Sequence, residues 1–380
     1  MIPYGRQSIS EDDIRAVVEV LRSDFITQGP AIPLFERCVA DYCGIAHAVA
    51  VNSATSALHI ACVALGLKPG DWLWTSPNTF VASANCARYC GAQVDFVDID
   101  PATYNLSVVA LEAKLAQAEK TGKLPKIVVP VHFAGQSCEM KQIWALSQRY
   151  GFKVLEDASH AVGADYDGTK VGDCRYSHAA VFSFHPVKII TTGEGGMVLT
   201  RDRALFEQMT RLRTHGITRK SSQMQKIAEG AWGYEQIELG WNYRITDIQA
   251  ALGSSQMRRL DKFVARRRDL VARYHEKLKG VPVVIPAQSA SGNPSWHLYV
   301  IQVDGRKKVF DALHVAGIIV NVHYIPVHLQ PYYRALGYKP GDFPEAERYY
   351  NRAISLPLLA DLTDRQQDTV VDSLKRALSA

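Results

Sequence analysis

"VFSFHPVKIITTGEGGMVLT", residues 181–200, decides how this chain is read. The apolar, β-prone runs at its two ends read as strands. Between them stand a single lysine, Lys188, and a Thr-Thr-Gly-Glu-Gly-Gly bend. A surface lysine needs no such setting; a lysine that must hold a carbonyl compound in a fixed place does. The bend is not a nucleotide loop, because it lacks both the strand–GxGxxG–helix order and the G-x-x-x-x-G-K-[ST] spacing. Its glycines instead allow the backbone to turn tightly beside the lysine.

Working outward, residues 45–200 alternate between strand and helix patterns. "HAVAVN" reads as a strand and "ATSALHIACVALGL" as a helix with Leu58, Ala61, Cys62 and Leu65 on one face. "DWLWTS" and "AQVDFVDID" read as strands around the helix "FVASANCARYC". "LEAKLAQAEK" is helical, "KIVVPVHF" a strand, and "MKQIWALSQRYG" a helix closed by Gly151. "KVLEDAS" and "HAAVFSF" are strands again. Such alternation predicts an α/β fold, a mostly parallel sheet covered by helices on both faces, with ligands at the carboxyl ends of the strands. A helical region at about 245–279 leads to the strands "WHLYVIQV" and "IIVNVHYIP", separated by the helix "KVFDALHVAG". The expected division is a large domain, 1–254, and a smaller C-terminal α+β domain, 255–380.

Composition narrows the function classes. Of 380 residues, 47% are apolar, enough for a large core. The net charge of +5 suits an anionic small ligand and is too diffuse for nucleic acid. No apolar run approaches the ~20 residues needed to cross a bilayer. The opening "MIPYGRQSIS" shows no basic-then-apolar leader, so a cytoplasmic location is expected. The seven cysteines are scattered without a C-x-x-C pair and read as reduced thiols, with no metal site. Cys86 and Cys90 read as sharing a buried helix face.

The chemistry-bearing residues fall just after predicted strands. Asp157 ends "KVLED"; alone, it reads first as a cap for the next helix. Ser159 and His160 follow it, and Lys188 lies 31 residues on, at the tip of a neighbouring strand. That combination suits pyridoxal 5'-phosphate, whose ring nitrogen needs a carboxylate to keep its proton and whose aldehyde needs a lysine. Its phosphate needs amides and hydroxyls. Ser53 and Thr55 precede an apolar helix whose first-turn amides point at an anion, although Ser53 also reads as an ordinary N-cap. Ser183 could add a hydroxyl. Phe80 begins a helix after a strand and is placed either to stack on a flat ring or to join the core.

"EDASHAVGADY", "FSFHPVKIITTGEGGMV", "RTHGITR" and "GWNYRITDIQAALG" resemble the DegT-type nucleotide-sugar aminotransferases, over nearly the whole chain. The resemblance implies a fold type I aminotransferase architecture: a large domain on a mostly parallel, seven-stranded-type sheet, and a smaller C-terminal domain. It implies that Lys188 tethers the cofactor, Asp157 pairs with the ring nitrogen, and His160 lies near the ring hydroxyl. Ser53, Ala54, Thr55 and Ser183 would surround the phosphate and Phe80 would stack on the ring. Ala54 stands where many relatives have glycine, which requires an ordinary backbone angle there. Asn242 of the partner subunit would reach the phosphate, in a homodimer with shared sites. Tyr4, the segment Asp24, Phe25, Ile26 and Thr27, the stretch His323, Tyr324, Ile325 and Pro326, and Tyr332 would line the sugar-nucleotide site. "FITQGP", "NSATSALH", "VNVHYIPVHLQPYY" and "FPEAERYYNRAISLPL" narrow the implied substrates to L-glutamate and a UDP-linked 4-keto sugar. Relatives that act as dehydratases carry histidine in place of Lys188. A non-catalytic regulator on the same fold would be expected to lack Lys188 or Asp157.

Overall fold

Seven short apolar runs pair into one sheet. They are β1 (His47–Val51), β2 (Trp72–Thr75), β3 (Gln93–Phe96), β4 (Ile127–Val129), β5 (Lys153–Asp157), β6 (Ala179–Ser183) and β7 (Gly196–Thr200). The order is β1-β7-β6-β5-β4-β2-β3. Only β7 runs against its neighbours; the β2–β3, β2–β4, β4–β5 and β5–β6 pairs are parallel. The computed structural model describes residues 1–225 and 230–379.

Strand alternation divides the core in two. Ala48, Ala50, Val154, Phe182 and Met197 face one apolar layer, while Val49, Val51, Leu155, Val181 and Val198 face the other. Helices α1 (Glu11–Leu21), α2 (Ala31–Cys43), α3 (Ala54–Ala64), α4 (Ala82–Tyr89), α5 (Val108–Thr121), α6 (Met140–Tyr150), α7 (Arg203–Leu212), α8 (Asp247–Met257) and α9 (Leu260–Lys277) follow in chain order. α2, α5, α6 and α8 cover the first layer, and α3, α4 and α7 the second. Gly151, at φ 78°, closes α6 in the left-handed conformation. Among the described residues, no helix is long and apolar enough to cross a membrane.

A third apolar core runs from Leu270 to Ala377, with Ile2 packed against it. It surrounds the antiparallel pair β8 (Tyr299–Gln302) and β9 (Ala353–Leu356) and the helix α10 (Arg306–Val315).

Four sequence expectations change. "KIVVPVHF" gives a strand only to Val129, because Pro130 has no N–H for the ladder; Val131 keeps a single bridge to Asp157. The helical region breaks at Arg258–Arg259, where Arg259 (φ −108°, ψ 0°) leaves helical geometry. "IIVNVHYIP" is not a strand. Among the described residues its backbone joins neighbouring segments as isolated bridges, Ile2–Ile318 and Asn321–Ser355, and it then turns to line a cavity from Asn321 to Ile325. All seven cysteines are free; Cys86 is buried, whereas Cys90 is half-buried at the end of α4.

Candidate active site

A cavity of about 930 Å³ opens at the carboxyl ends of the sheet strands. The ends of β1, β5 and β6 form its floor, and the passage from Asn321 to Ile325 supplies a wall from the C-terminal part.

Lys188 follows β6 in a tight turn, its amide donating to the carbonyl of His185 at 2.9 Å. Its side chain is half-buried in the cavity. Desolvation pushes its ammonium down to about 8, against the opposing pull of the Asp157 carboxylate. Asp157, 5% exposed, closes β5. Its Oδ1 accepts the amide of Ser159 at 3.1 Å, and its Oδ2 accepts the hydroxyl of Ser83 at 2.5 Å. Among the described residues it makes no ion pair, so a buried carboxylate faces the cavity held only by neutral donors. It does bond the turn that follows, but the capping alternative leaves the Ser83 bond unexplained.

The phosphate-like cradle forms where β1 meets α3. Ser53 is the N-cap, its hydroxyl accepting the amide of Ser56 at 3.1 Å. Among the described residues the amides of Ala54 and Thr55 have no protein partner, as expected for a helix's first turn. No acidic residue stands in that turn, so it offers an anion site. Ser183, the last residue of β6, lies in the same cavity. Gly196 pairs with Val51 on one side and Ser183 on the other. A Cβ there would lie 2.5 Å from the amide of Ala54 and the carbonyl of Ser53, so only glycine lets β7 approach the helix end this closely. Gly193, at φ 78°, makes the preceding turn.

The upper wall is imidazole-rich. His160 accepts the amide of Ala134 at Nδ1 (3.3 Å) and lies 3.1 Å from the Tyr324 hydroxyl at Nε2. A neutral ring whose Nδ1 accepts must carry its proton on Nε2, so His160 donates to Tyr324. Burial, with Lys188 and His323, pushes His160 well below the ordinary range. His323 falls to about 3 through burial and then Lys188, and His297 is lowered the same way. Burial pushes the Tyr324 phenol up. Phe80 is 58% exposed at the rim, 6.2 Å from the Tyr324 ring, and is therefore not a core side chain. Tyr4 packs 5.3 Å from His323.

The cavity thus gathers Lys188, Asp157, His160, Ser53, Ala54, Thr55, Phe80, Ser183, Tyr4, His323, Tyr324 and Ile325. Pro326, Tyr332, Asn242 and the segment from Asp24 to Thr27 lie outside its lining. Asn242 and residues 24–27 are solvent-exposed in the single chain, and Tyr332 receives a hydrogen bond from Arg88 at 3.3 Å. Sequence reasoning missed Ser83, which supports the carboxylate, and His297, whose ring packs tilted against His160 with centroids 4.4 Å apart. Ser83 sits inside a helix, where a serine carries no positional signal. His297 comes from a remote segment. In chemical terms the cavity offers a lysine lowered to about 8, a buried carboxylate and an anion-binding helix end. Among the described residues no group of His, Cys, Asp and Glu side chains could hold a metal ion.

SpsC of Bacillus subtilis, a spore coat polysaccharide biosynthesis protein, is 40% identical over 98% of this chain and 96% of its own. PseC of Helicobacter pylori, an aminotransferase involved in the biosynthesis of pseudoaminic acid, superposes with a TM-score of 0.91 at 31% identity, covering 100% of this chain and 99% of its own. Spr1654 of Streptococcus pneumoniae, solved in a PMP form, gives a TM-score of 0.91 at 29% identity with the same coverage. Its PLP form gives 0.89 at 28%, over 100% and 98% of the two chains. Residues 7–375 match the DegT/DnrJ/EryC1/StrS aminotransferase family, and the chain belongs to that family.

Proposed function

We propose that this aminotransferase, with pyridoxal 5'-phosphate as cofactor, moves the amino group of L-glutamate onto the keto carbon of a nucleotide-linked deoxy sugar. The observation that carries the reading is the joint placement of Lys188, Asp157 and the α3 N-terminus in one cavity. The residues fit the group on three counts. A buried carboxylate stands without an ion pair among the described residues, burial lowers a lysine to about 8, and two free helix amides sit behind a glycine that no other residue could replace without a clash. The PLP and PMP forms of Spr1654 support the same cofactor.

When bound, the cofactor supplies an aldehyde for the passage of the amino group and a ring that withdraws electrons. The amides of Ala54 and Thr55, with the hydroxyls of Thr55 and Ser183, would hold its phosphate. Asp157 would hold a proton on the ring nitrogen, and Phe80 would cover the ring from the rim. Lys188 would tether the cofactor and, once displaced by an incoming amine, move a proton at Nζ. Burial lowers its ammonium from 10.5 to about 8 in the cofactor-free chain, which eases both loss and return of that proton. His160, neutral at Nδ1, orients Tyr324 at the mouth.

The acceptor we favour is UDP-2-acetamido-2,6-dideoxy-β-L-arabino-hexos-4-ulose, aminated at C4 to give UDP-4-amino-4,6-dideoxy-N-acetyl-β-L-altrosamine and 2-oxoglutarate. The likeness to PseC supports a place in pseudaminic acid biosynthesis. A second reading is another UDP- or dTDP-linked keto sugar, favoured by the higher identity to SpsC. In either case the working unit is a homodimer in which Asn242 of the partner subunit completes the phosphate site. Residues 24–27, Pro326 and Tyr332 would face the sugar nucleotide. The free cysteines support a reducing, cytoplasmic setting.

The test is a panel of UDP- and dTDP-linked keto sugars with L-glutamate, the products identified by NMR. Preference for the UDP-linked β-L-arabino 4-keto sugar over its α-D-xylo isomer supports the first reading. Equal or reversed preference moves the enzyme to the second. No amination of any keto sugar would overturn both.

A further inference from the structure

We propose that Ser83, backed by Thr79, is the positioning residue for the Asp157 carboxylate, and that this hydroxyl chain sets how firmly Asp157 holds its ring-nitrogen partner. The inference rests on the reading that Asp157 faces the cofactor ring.

Ser83 is fully buried in α4, and Thr79 is 2% exposed. The Ser83 Oγ lies 2.5 Å from Oδ2 of Asp157, 2.8 Å from the hydroxyl of Thr79 and 3.4 Å from the carbonyl of Phe80. Ser83 has one proton to give. The short contact to an ionised acceptor claims it, because such bonds are the shorter and stronger class. The proton between the two hydroxyls then comes from Thr79. The order is Thr79 to Ser83 to Asp157, ending on a carboxylate whose other oxygen is held by the Ser159 amide. Both oxygens are therefore fixed from the protein side, which leaves the carboxylate one orientation towards the cavity.

The choice of hydroxyls over a cation matters. An arginine or lysine in place of Ser83 would orient the carboxylate equally well but neutralise its charge. A hydroxyl chain orients it and leaves the negative charge for a protonated ring nitrogen, from the buried side of the carboxylate. Without Ser83, Oδ2 would stand buried without that donor, and the carboxylate would be free to rotate. Thr79 and Ser83 also bracket Phe80, so one turn of chain sets both the carboxylate and the aromatic rim.

The experiment compares Ser83→Ala, Thr79→Val and Asp157→Asn with wild type as holoenzymes. Three quantities are read: the pH midpoint of the bound cofactor's visible absorption, the affinity of cofactor-free protein for pyridoxal 5'-phosphate, and the half-reaction with L-glutamate. Ser83→Ala is expected to move the midpoint in the direction that Asp157→Asn moves it, by less. It should lower kcat about tenfold or more, with KM for L-glutamate within about twofold. Thr79→Val should shift both in the same direction by a smaller amount. A Ser83→Ala midpoint and kcat at wild-type values, beside a displaced Asp157→Asn midpoint, would overturn the inference and leave the assignment of Asp157 standing. An Asp157→Asn enzyme with the wild-type midpoint would overturn that assignment itself. If Ser83→Ala does not fold, Thr79→Val decides, and wild-type values in it overturn the inference.

Discussion

Removing the Lys188 ammonium should change how the cofactor-free protein responds to pH. In the folded chain burial lowers this lysine from 10.5 to about 8. Between those two values the unfolded chain binds more protons at this position than the folded one, so stability rises with pH across the window. Below pH 8 the penalty is fully present, and by 10.5 it is nearly gone. At about 1.36 kcal/mol per unit, the shift is worth roughly 3 kcal/mol near pH 7 and under ~1 kcal/mol at pH 10, a difference of roughly 2.5 kcal/mol. Lys188→Met removes the titrating group but keeps the stem. Loss of the attraction to Asp157 displaces its curve without altering this slope. The assay is urea unfolding of both cofactor-free proteins from pH 7 to 10 at one protein concentration. Wild type should gain roughly 2.5 kcal/mol on the variant over that range. Parallel curves would mean that the ammonium is solvated, and the argument that burial lowers Lys188 would fall.

Gly196→Ala should reduce stability by about 1–3 kcal/mol, because its methyl meets the Ser53 carbonyl and the Ala54 amide, and it should weaken cofactor affinity in parallel. A thermal melt and a cofactor titration unchanged from wild type would refute the close-approach argument. Lys188→Ala and Asn242→Ala homodimers should each be impaired, the second mainly in cofactor retention. Their tagged heterodimer should recover about half of wild-type activity, since both lesions then fall in one site. Activity no higher than half that of the Asn242→Ala homodimer would place Asn242 in its own subunit's site.

The sheet and the residues at its carboxyl edge were legible because they obey local rules. Short apolar, β-prone runs marked the strands, Gly151 marked a helix end, and Asp157, Ser53 and Ser183 each stood just after or at the end of an apolar run. Lys188 was legible because a lone lysine beside a glycine bend has few structural reasons to exist. What failed was set by tertiary partners. "IIVNVHYIP" has strand composition, but its residues from Asn321 onward are drawn into the cavity wall and cannot continue a ladder. Phe80 carried no sign of exposure, because an aromatic before a helix reads equally as core. Ser83 and His297 became site residues only when the fold brought them against Asp157 and His160.

The single-chain cavity also explains why part of the expected sugar site could not be found within it. Among its described lining residues Lys188 is the only lysine or arginine, and His160, His297 and His323 are all held neutral by burial. L-Glutamate brings two carboxylates and a sugar nucleotide a diphosphate. Such anions need cations or clustered donors that one chain's cavity supplies only at the α3 helix end and Lys188. Meanwhile Phe25 and Ile26 are 55% and 51% exposed, and Asn242 lies open to solvent. Large apolar side chains left exposed beside polar residues mark surfaces that become covered by a partner. Of the residues missing from the cavity, Asn242, Tyr332 and the segment from Asp24 to Thr27 lie on this uncovered surface, whereas Pro326 is buried. A second copy seated there would resolve both, and the heterodimer measurement addresses that proposal directly.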